Sequence, residues 1–186
     1  MNSMPEIKLP PSRAMNTSKR SEHEELMQQH LRDENLPEAV MPAMPVSKVL
    51  KGQKALVTGA NSGIGKAVAL SLARAGADVV VNYVSRPEAA EEVVKDITSR
   101  GGNAFAHKAN VAKEDDVQAM FKKMIQEFGT IDILVNNAGL QKDAPIDQMA
   151  LADWQFVLDV NLTGQFLCSR EAMRFAMAHS RSGCTV

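Results

Sequence analysis

Eight residues, Thr58-Gly59-Ala60-Asn61-Ser62-Gly63-Ile64-Gly65, carry the first chemical signal in the chain. They join the apolar run Ala55-Leu56-Val57 to the stretch Gly63 to Arg74, in which Ile64, Val68 and Leu72 recur every four residues. The glycines therefore sit where a strand turns into a helix. A helix N-terminus presents unpaired N–H groups and the positive end of the helix dipole, which together suit a pyrophosphate. Glycine lets the backbone turn tightly and approach phosphate oxygens with no Cβ in the way. The turn is not a Walker A loop: five residues separate Gly59 from Gly65, and Ala67 stands where that loop needs a hydroxyl. On this motif alone, an ordinary glycine-rich strand-to-helix turn stays open.

Two asparagine motifs follow. Asn136-Asn137-Ala138-Gly139 comes directly after the apolar stretch Ile131 to Val135, and an asparagine there can tie neighbouring loops together. Asn161-Leu162-Thr163-Gly164 lies in a helical stretch, where Asn161 shares a stripe with Trp154, Leu158 and Leu162. That placement predicts a buried amide, which needs partners; a satisfied core asparagine is the plain reading. The two cysteines, Cys168 and Cys184, form no CxxC pair and no metal-ligand spacing, so no metal site is expected. Cys168 reads as a packed thiol and Cys184 as a free one.

The elements that must position these residues alternate along the chain. Val79-Val80-Val81 is a continuous β-branched run, as in a strand buried on both faces. Pro87 to Arg100 reads as a helix with proline in its first turn and Gly101-Gly102 at its end. Asn103 to Lys108 is a weaker strand. Val117, Met120, Phe121, Met124, Ile125 and Phe128 follow the i, i+3, i+4, i+7 rule, and Gly129 ends that helix. Ile131 to Val135 is a fourth strand, and Leu151 to about Ala178 a last long helix. Strand, helix, strand, helix with short connections implies an α/β fold of parallel strands joined by right-handed crossovers.

The 186 residues carry 21 basic and 22 acidic side chains, a net charge of −1, and 45% apolar residues. This suffices for one domain with an appendage and gives no electrostatic footprint for nucleic acid or an anionic membrane. No apolar run approaches the roughly 18–20 residues of a membrane helix, nor does the N-terminus show a secretory signal, so a cytoplasmic protein is expected. Six of the eight prolines lie at or before Pro45, whereas all eleven glycines lie at or after Gly52. Residues 1–49 accordingly read as a flexible arm with one helix, about Ser21 to Leu31, and 50–186 as the domain. An ordered arm packed on a partner subunit is the alternative.

The three motifs, Gly59-x-x-x-Gly63-x-Gly65, Asn136-Asn137-Ala138-Gly139 and Asn161-Leu162-Thr163-Gly164, in this order and each at its element, resemble the short-chain dehydrogenases/reductases from about Leu50 to Val186. Val81-Asn82-Tyr83 and Asn161 to Leu167 look most like bacterial glucose 1-dehydrogenases, with 3-oxoacyl-acyl-carrier-protein reductases the runner-up. The resemblance implies the N-terminal part of a Rossmann-type doubly wound parallel sheet. It also implies an oxidoreductase that moves hydride between the nicotinamide of NADP or NAD and a small alcohol or carbonyl substrate. By position, Gly59, Asn61, Ser62, Gly63, Ile64 and Gly65 would surround the pyrophosphate and adenosine ribose. Asn110-Val111 stands where the family has Asp-Val beside the adenine, and the asparagine can still accept from the adenine amino group. Asn137, Ala138 and Gly139 would line the nicotinamide ribose, Val160 would touch the cofactor through its backbone, and Asn161 would hold a water in the catalytic proton relay.

An NAD-preferring site carries an acidic residue at the end of the second strand. Here that position is Tyr83, with Asn82 before it and Arg86 close enough to bind a 2′-phosphate, so NADP or dual use is expected. The family's chemistry further needs a serine and a Tyr-x-x-x-Lys pair. The sole tyrosine is Tyr83, with Pro87 four residues on, and the last lysine is Lys142. Gly183-Cys184-Thr185-Val186 reads as the start of a fifth strand. The chain is thus expected to be C-terminally truncated, inactive alone and marginally stable. A non-catalytic dinucleotide-binding module is the alternative, and full-length relatives are expected to be homotetramers.

Overall fold

A computed structural model describes residues 47–178. The helix expected at Ser21 to Leu31 and the strand expected at Gly183 to Val186 lie outside the described residues, as does Cys184. The described chain runs β1 (Lys54–Val57), α1 (Gly63–Arg74), β2 (Asp78–Tyr83), α2 (Pro87–Ser99), β3 (Ala104–Lys108), α3 (Glu114–Phe128), β4 (Ile133–Val135), α4 (Leu151–Leu158), a π-helical turn (Asp159–Thr163) and α5 (Gly164–Ala178).

The four strands form one parallel sheet in the order β3-β2-β1-β4. Leu56 is level with Val80 on one side and with Leu134 on the other. Successive strand residues point to opposite faces, and both faces are covered. Leu56, Val80 and Leu134 pack with Val117, Met120, Phe121 and Met124 of α3 and with Leu167, Cys168 and Ala172 of α5. Ala55, Val57, Val79 and Val81 pack with Ala69 of α1 and Ala90, Val93 and Ile97 of α2. Burial on both faces is why β2 is an unbroken apolar run rather than an alternating one. The chain order places the loops after β1 and β4 side by side, at the C-terminal ends of adjacent strands.

Two expectations about helix faces need correction. Ile64 does not share the core stripe of α1: it is 78% exposed, while Gly65 and Ala69 are the buried residues. Ile64 turns into the space above the strand ends, beside Asn61, Ser62 and Gly63, where it is also expected as a dinucleotide neighbour. The last helix spans Leu151 to Ala178 as expected, but its repeat is not uniform. The π turn at Asp159–Thr163 inserts an extra residue into the helical repeat, which shifts the phase. The stripe running from Trp154 through Leu158 to Leu162 does not face the core: Trp154, ahead of the turn, is already 51% exposed and α4 has no buried residue, Leu162 is 64% exposed, and the buried positions beyond are Val160, Leu167 and Cys168. Asn161 is half-buried rather than buried.

Candidate functional site

Above the ends of β1, β2 and β4 lies a cleft of about 600 Å³. The glycine loop forms one wall through Gly59, Asn61, Ser62, Gly63, Ile64 and Gly65. Asn137, Ala138 and Gly139 form the facing wall, Asn110 and Val111 one end, and Val160 contributes from the π turn. Twelve of the positions singled out in the sequence thus come together around one space. Asn82, Val84, Ala109, Leu140 and Phe156 also line it. No lining residue is charged, so the cleft contains no carboxylate to repel an anion.

The walls are fixed by side chains that reach between loops. Thr58, buried at the end of β1, accepts two backbone N–H bonds at Oγ1, from Asn137 and Ala138, both at 2.9 Å. In return Asn137 Nδ2 donates to the carbonyls of Thr58 at 2.8 Å and Gly59 at 3.2 Å. Asn82, 2% exposed, accepts from Gly59 N at 3.2 Å and donates to the carbonyls of His107 at 3.3 Å and Ala109 at 3.0 Å. One amide thereby ties the glycine loop to the ends of β2 and β3. Sequence reasoning missed Thr58 and gave Asn82 no role of its own. The available signal was a polar residue inside an otherwise apolar strand run, which a core tolerates only with partners.

The N-terminus of α1 faces this cleft uncapped. Ser62 is its N-cap residue by backbone conformation but makes no side-chain cap bond, and the first turn holds no acidic residue. By contrast, α3 has Glu114, Asp115 and Asp116 in its first turn. The free N–H groups and dipole end of α1 are therefore left to an external anion. Gly63 has φ +54, a conformation L side chains rarely adopt, and a Cβ there would meet open space.

Three expected positions stand elsewhere. Tyr83 is not among the lining residues; strand alternation turns its ring to the α1–α2 face with Val79 and Val81, and Asn82 and Val84 line the cleft in its place. Arg86 lies outside the lining, at the exposed rim, where its Nη2 donates to Ser62 Oγ at 3.0 Å. Asn161 sits behind Leu140: its Oδ1 accepts from Leu140 N at 2.9 Å and its Nδ2 donates to Leu140 O at 2.8 Å. The amide positions the loop after β4. Asn110, within the lining, has Oδ1 turned back to accept from Ala112 N at 3.0 Å, while its own N–H donates to Asp116 at 2.9 Å.

Among the described residues no group of three or more His, Cys, Asp or Glu could hold a metal ion, and no helix is long and apolar enough to cross a membrane. The sequence pattern of the family described as short chain dehydrogenase matches residues 53–186. A 3-oxoacyl-[acyl-carrier-protein] reductase of Synechocystis sp. is 49% identical over 134 residues, which is 72% of this chain and 54% of that protein. A Staphylococcus aureus protein of the same name is 45% identical over the same shares. Among solved structures, a short-chain type dehydrogenase/reductase from Mycobacterium marinum superposes with a TM-score of 0.69 at 39% identity, covering 72% of this chain and 54% of that one. A short chain dehydrogenase from Burkholderia cenocepacia in complex with NADP gives 0.66 at 39% identity, covering 68% and 51%. The chain spans about half the length of the curated relatives it matches.

Proposed function

The chain belongs to the short-chain dehydrogenase family, and on that premise we propose that its cleft binds a nicotinamide dinucleotide, NADP in preference to NAD. The observation that carries this reading is the uncapped N-terminus of α1, opening onto a cleft that no charged side chain lines. The pyrophosphate belongs there, with the adenine towards Asn110 and Val111 and the nicotinamide ribose towards Asn137, Ala138 and Gly139. The turned-back Asn110 Oδ1 keeps a second lone pair for the adenine amino group. Preference for NADP is supported by Arg86 at the rim, by the lack of an acidic residue among Asn82, Tyr83 and Val84, and by the relative bound to NADP.

The dinucleotide supplies hydride chemistry at its nicotinamide ring, and in the family the other partner is an alcohol or carbonyl carbon. The residues of this chain bind and orient: Asn137 and Thr58 hold the two loops together, and Asn161 fixes Leu140 beside the nicotinamide end. The 186 residues contain no Tyr-x-x-x-Lys, so binding without hydride transfer is the proposed behaviour of the isolated chain. For the whole protein, the 3-oxo ketone of an acyl thioester is the substrate reading supported by the names of relatives at 45–49% identity. A sugar alcohol, as in glucose 1-dehydrogenases, rests on the resemblance of Val81-Asn82-Tyr83 and Asn161 to Leu167. Homo-oligomeric assembly is supported by the exposed apolar side chains Leu162, Phe166 and Met173.

Calorimetric titration of the purified chain with NADP⁺ and NAD⁺ tests the reading. One saturable site is expected, tighter for NADP⁺ and lost in Gly63→Val, where a β-branched side chain would be forced to φ +54. A helical, soluble chain that binds neither nucleotide would overturn it.

A further inference from the structure

Arg86 has φ +56 and ψ +67, and it is the one non-glycine residue with positive φ among those described. Its neighbour Pro87 disfavours the right-handed helical region for the residue before it, which leaves extended backbone as the unstrained choice. Arg86 takes the left-handed conformation instead, which costs an L residue energy and persists only where its surroundings impose it. Two side chains of the facing loop, Asn61 and Ser62, bond to this turn. Asn61 Nδ2 donates to the carbonyl of Ser85 at 2.8 Å and approaches that of Arg86 at 3.5 Å. With the backbone so held, the guanidinium reaches Ser62 Oγ, next to Asn61 in the glycine loop.

We propose that Asn61 is a positioning residue for cofactor choice: by holding Arg86 in its left-handed conformation, it sets the guanidinium at the rim of the cleft, ready for a 2′-phosphate. This rests on the dinucleotide reading given above. A long exposed arginine on a free loop would lose conformational freedom each time it captured a phosphate. The tether to Asn61 meets that cost in the free protein, and preorganisation of this kind raises affinity without adding a contact. The effect is specific: it acts through Arg86 on a group that NADP⁺ has and NAD⁺ lacks.

The test is a double-mutant cycle on the full chain, with the ratio of NADP⁺ to NAD⁺ affinities read by calorimetry for the wild type, Asn61→Ala, Arg86→Ala and the double variant. Arg86→Ala should lower the ratio about tenfold or more, the scale of a lost charge-assisted hydrogen bond to phosphate. Asn61→Ala should lower it in the same direction by about three- to tenfold, and in the Arg86→Ala background should lower it no further. Asn61→Ser, one bond too short to reach Ser85, serves as the second variant with the same expectation. An Asn61 variant that weakens both nucleotides alike, or losses that add in the double variant, overturns the positioning role while leaving the dinucleotide reading intact. A ratio unchanged in Arg86→Ala, or a wild type that binds neither nucleotide, overturns the underlying reading and this inference with it.

Discussion

A Cβ on Gly65 would lie 2.4 Å from Asn137 Nδ2, and equally 2.4 Å from the carbonyl oxygen of Gly59. The first helix and the loop after β4 therefore meet at a point where only a hydrogen atom fits. Asn137 is not free to yield, because its Nδ2 holds the Thr58 and Gly59 carbonyls. Gly65→Ala is predicted to destabilise the chain by about 1–3 kcal/mol, as overpacking does, and to weaken dinucleotide binding. Urea unfolding checks the first effect; a midpoint equal to that of the wild type would show that the two loops part without cost.

Asn82 gives a second prediction. It accepts from Gly59 N and donates to the His107 and Ala109 carbonyls, all with the residue 2% exposed. Asn82→Ala strands those backbone groups, at about 1–3 kcal/mol for a buried unsatisfied group. Asn82→Asp keeps the acceptor but turns a carboxylate towards two carbonyl oxygens, so its denaturation midpoint should fall further than that of Asn82→Ala. The reverse order would show that the amide does not donate to both carbonyls.

The strands and helices of this fold are legible in the sequence because burial on both faces of the sheet demands apolar runs such as Val79-Val80-Val81. The ladder of α3 is legible for the same kind of reason, since Val117, Met120, Phe121 and Met124 all point at that sheet. The cleft is legible where it is made of glycine loop and strand-end asparagine. The π turn is not, because an extra residue in a helix leaves no local pattern; nor is the outward face of Trp154 and Leu162, whose apolar spacing reads as a core stripe although both are more than half exposed. Tyr83 and Arg86 differ in this respect. The period-two alternation from Val79 and Val81 already turns Tyr83 away from the cleft, whereas nothing local marks the left-handed backbone of the residue before Pro87.

A pH dependence follows from His107. Burial, and after it the charge of Lys123, hold its imidazole below the ordinary 6.5, with Asp116 acting the other way. The unfolded chain then takes up this proton at a higher pH than the native chain does. Its stabilising contribution is accordingly full above about pH 6.5 and is lost as pH falls from there towards the lower native value. Thermal melts over a series from about pH 7.5 to 5 should show a steeper loss of stability in the wild type than in His107→Gln. Parallel curves would contradict the assignment.

Cys168, 0% exposed, has its thiol pushed up to about 12, first by burial and then by Glu171. The thiolate is the reactive form, so Cys168 is predicted to resist iodoacetamide at pH 8 in the native chain and to be labelled in urea, as read by peptide mass spectrometry. Native labelling at the unfolded rate would place it outside the core.

Hydrogen exchange with and without NADP⁺, resolved along the chain by mass spectrometry, tests the central claim most directly, because it locates the ligand as well as detecting it. The account predicts slower exchange at residues 59–66, where the N-terminus of α1 would receive the pyrophosphate, and at 137–140 on the facing wall. Exchange unchanged at 59–66 under saturating NADP⁺, in a chain that is otherwise folded, would contradict it.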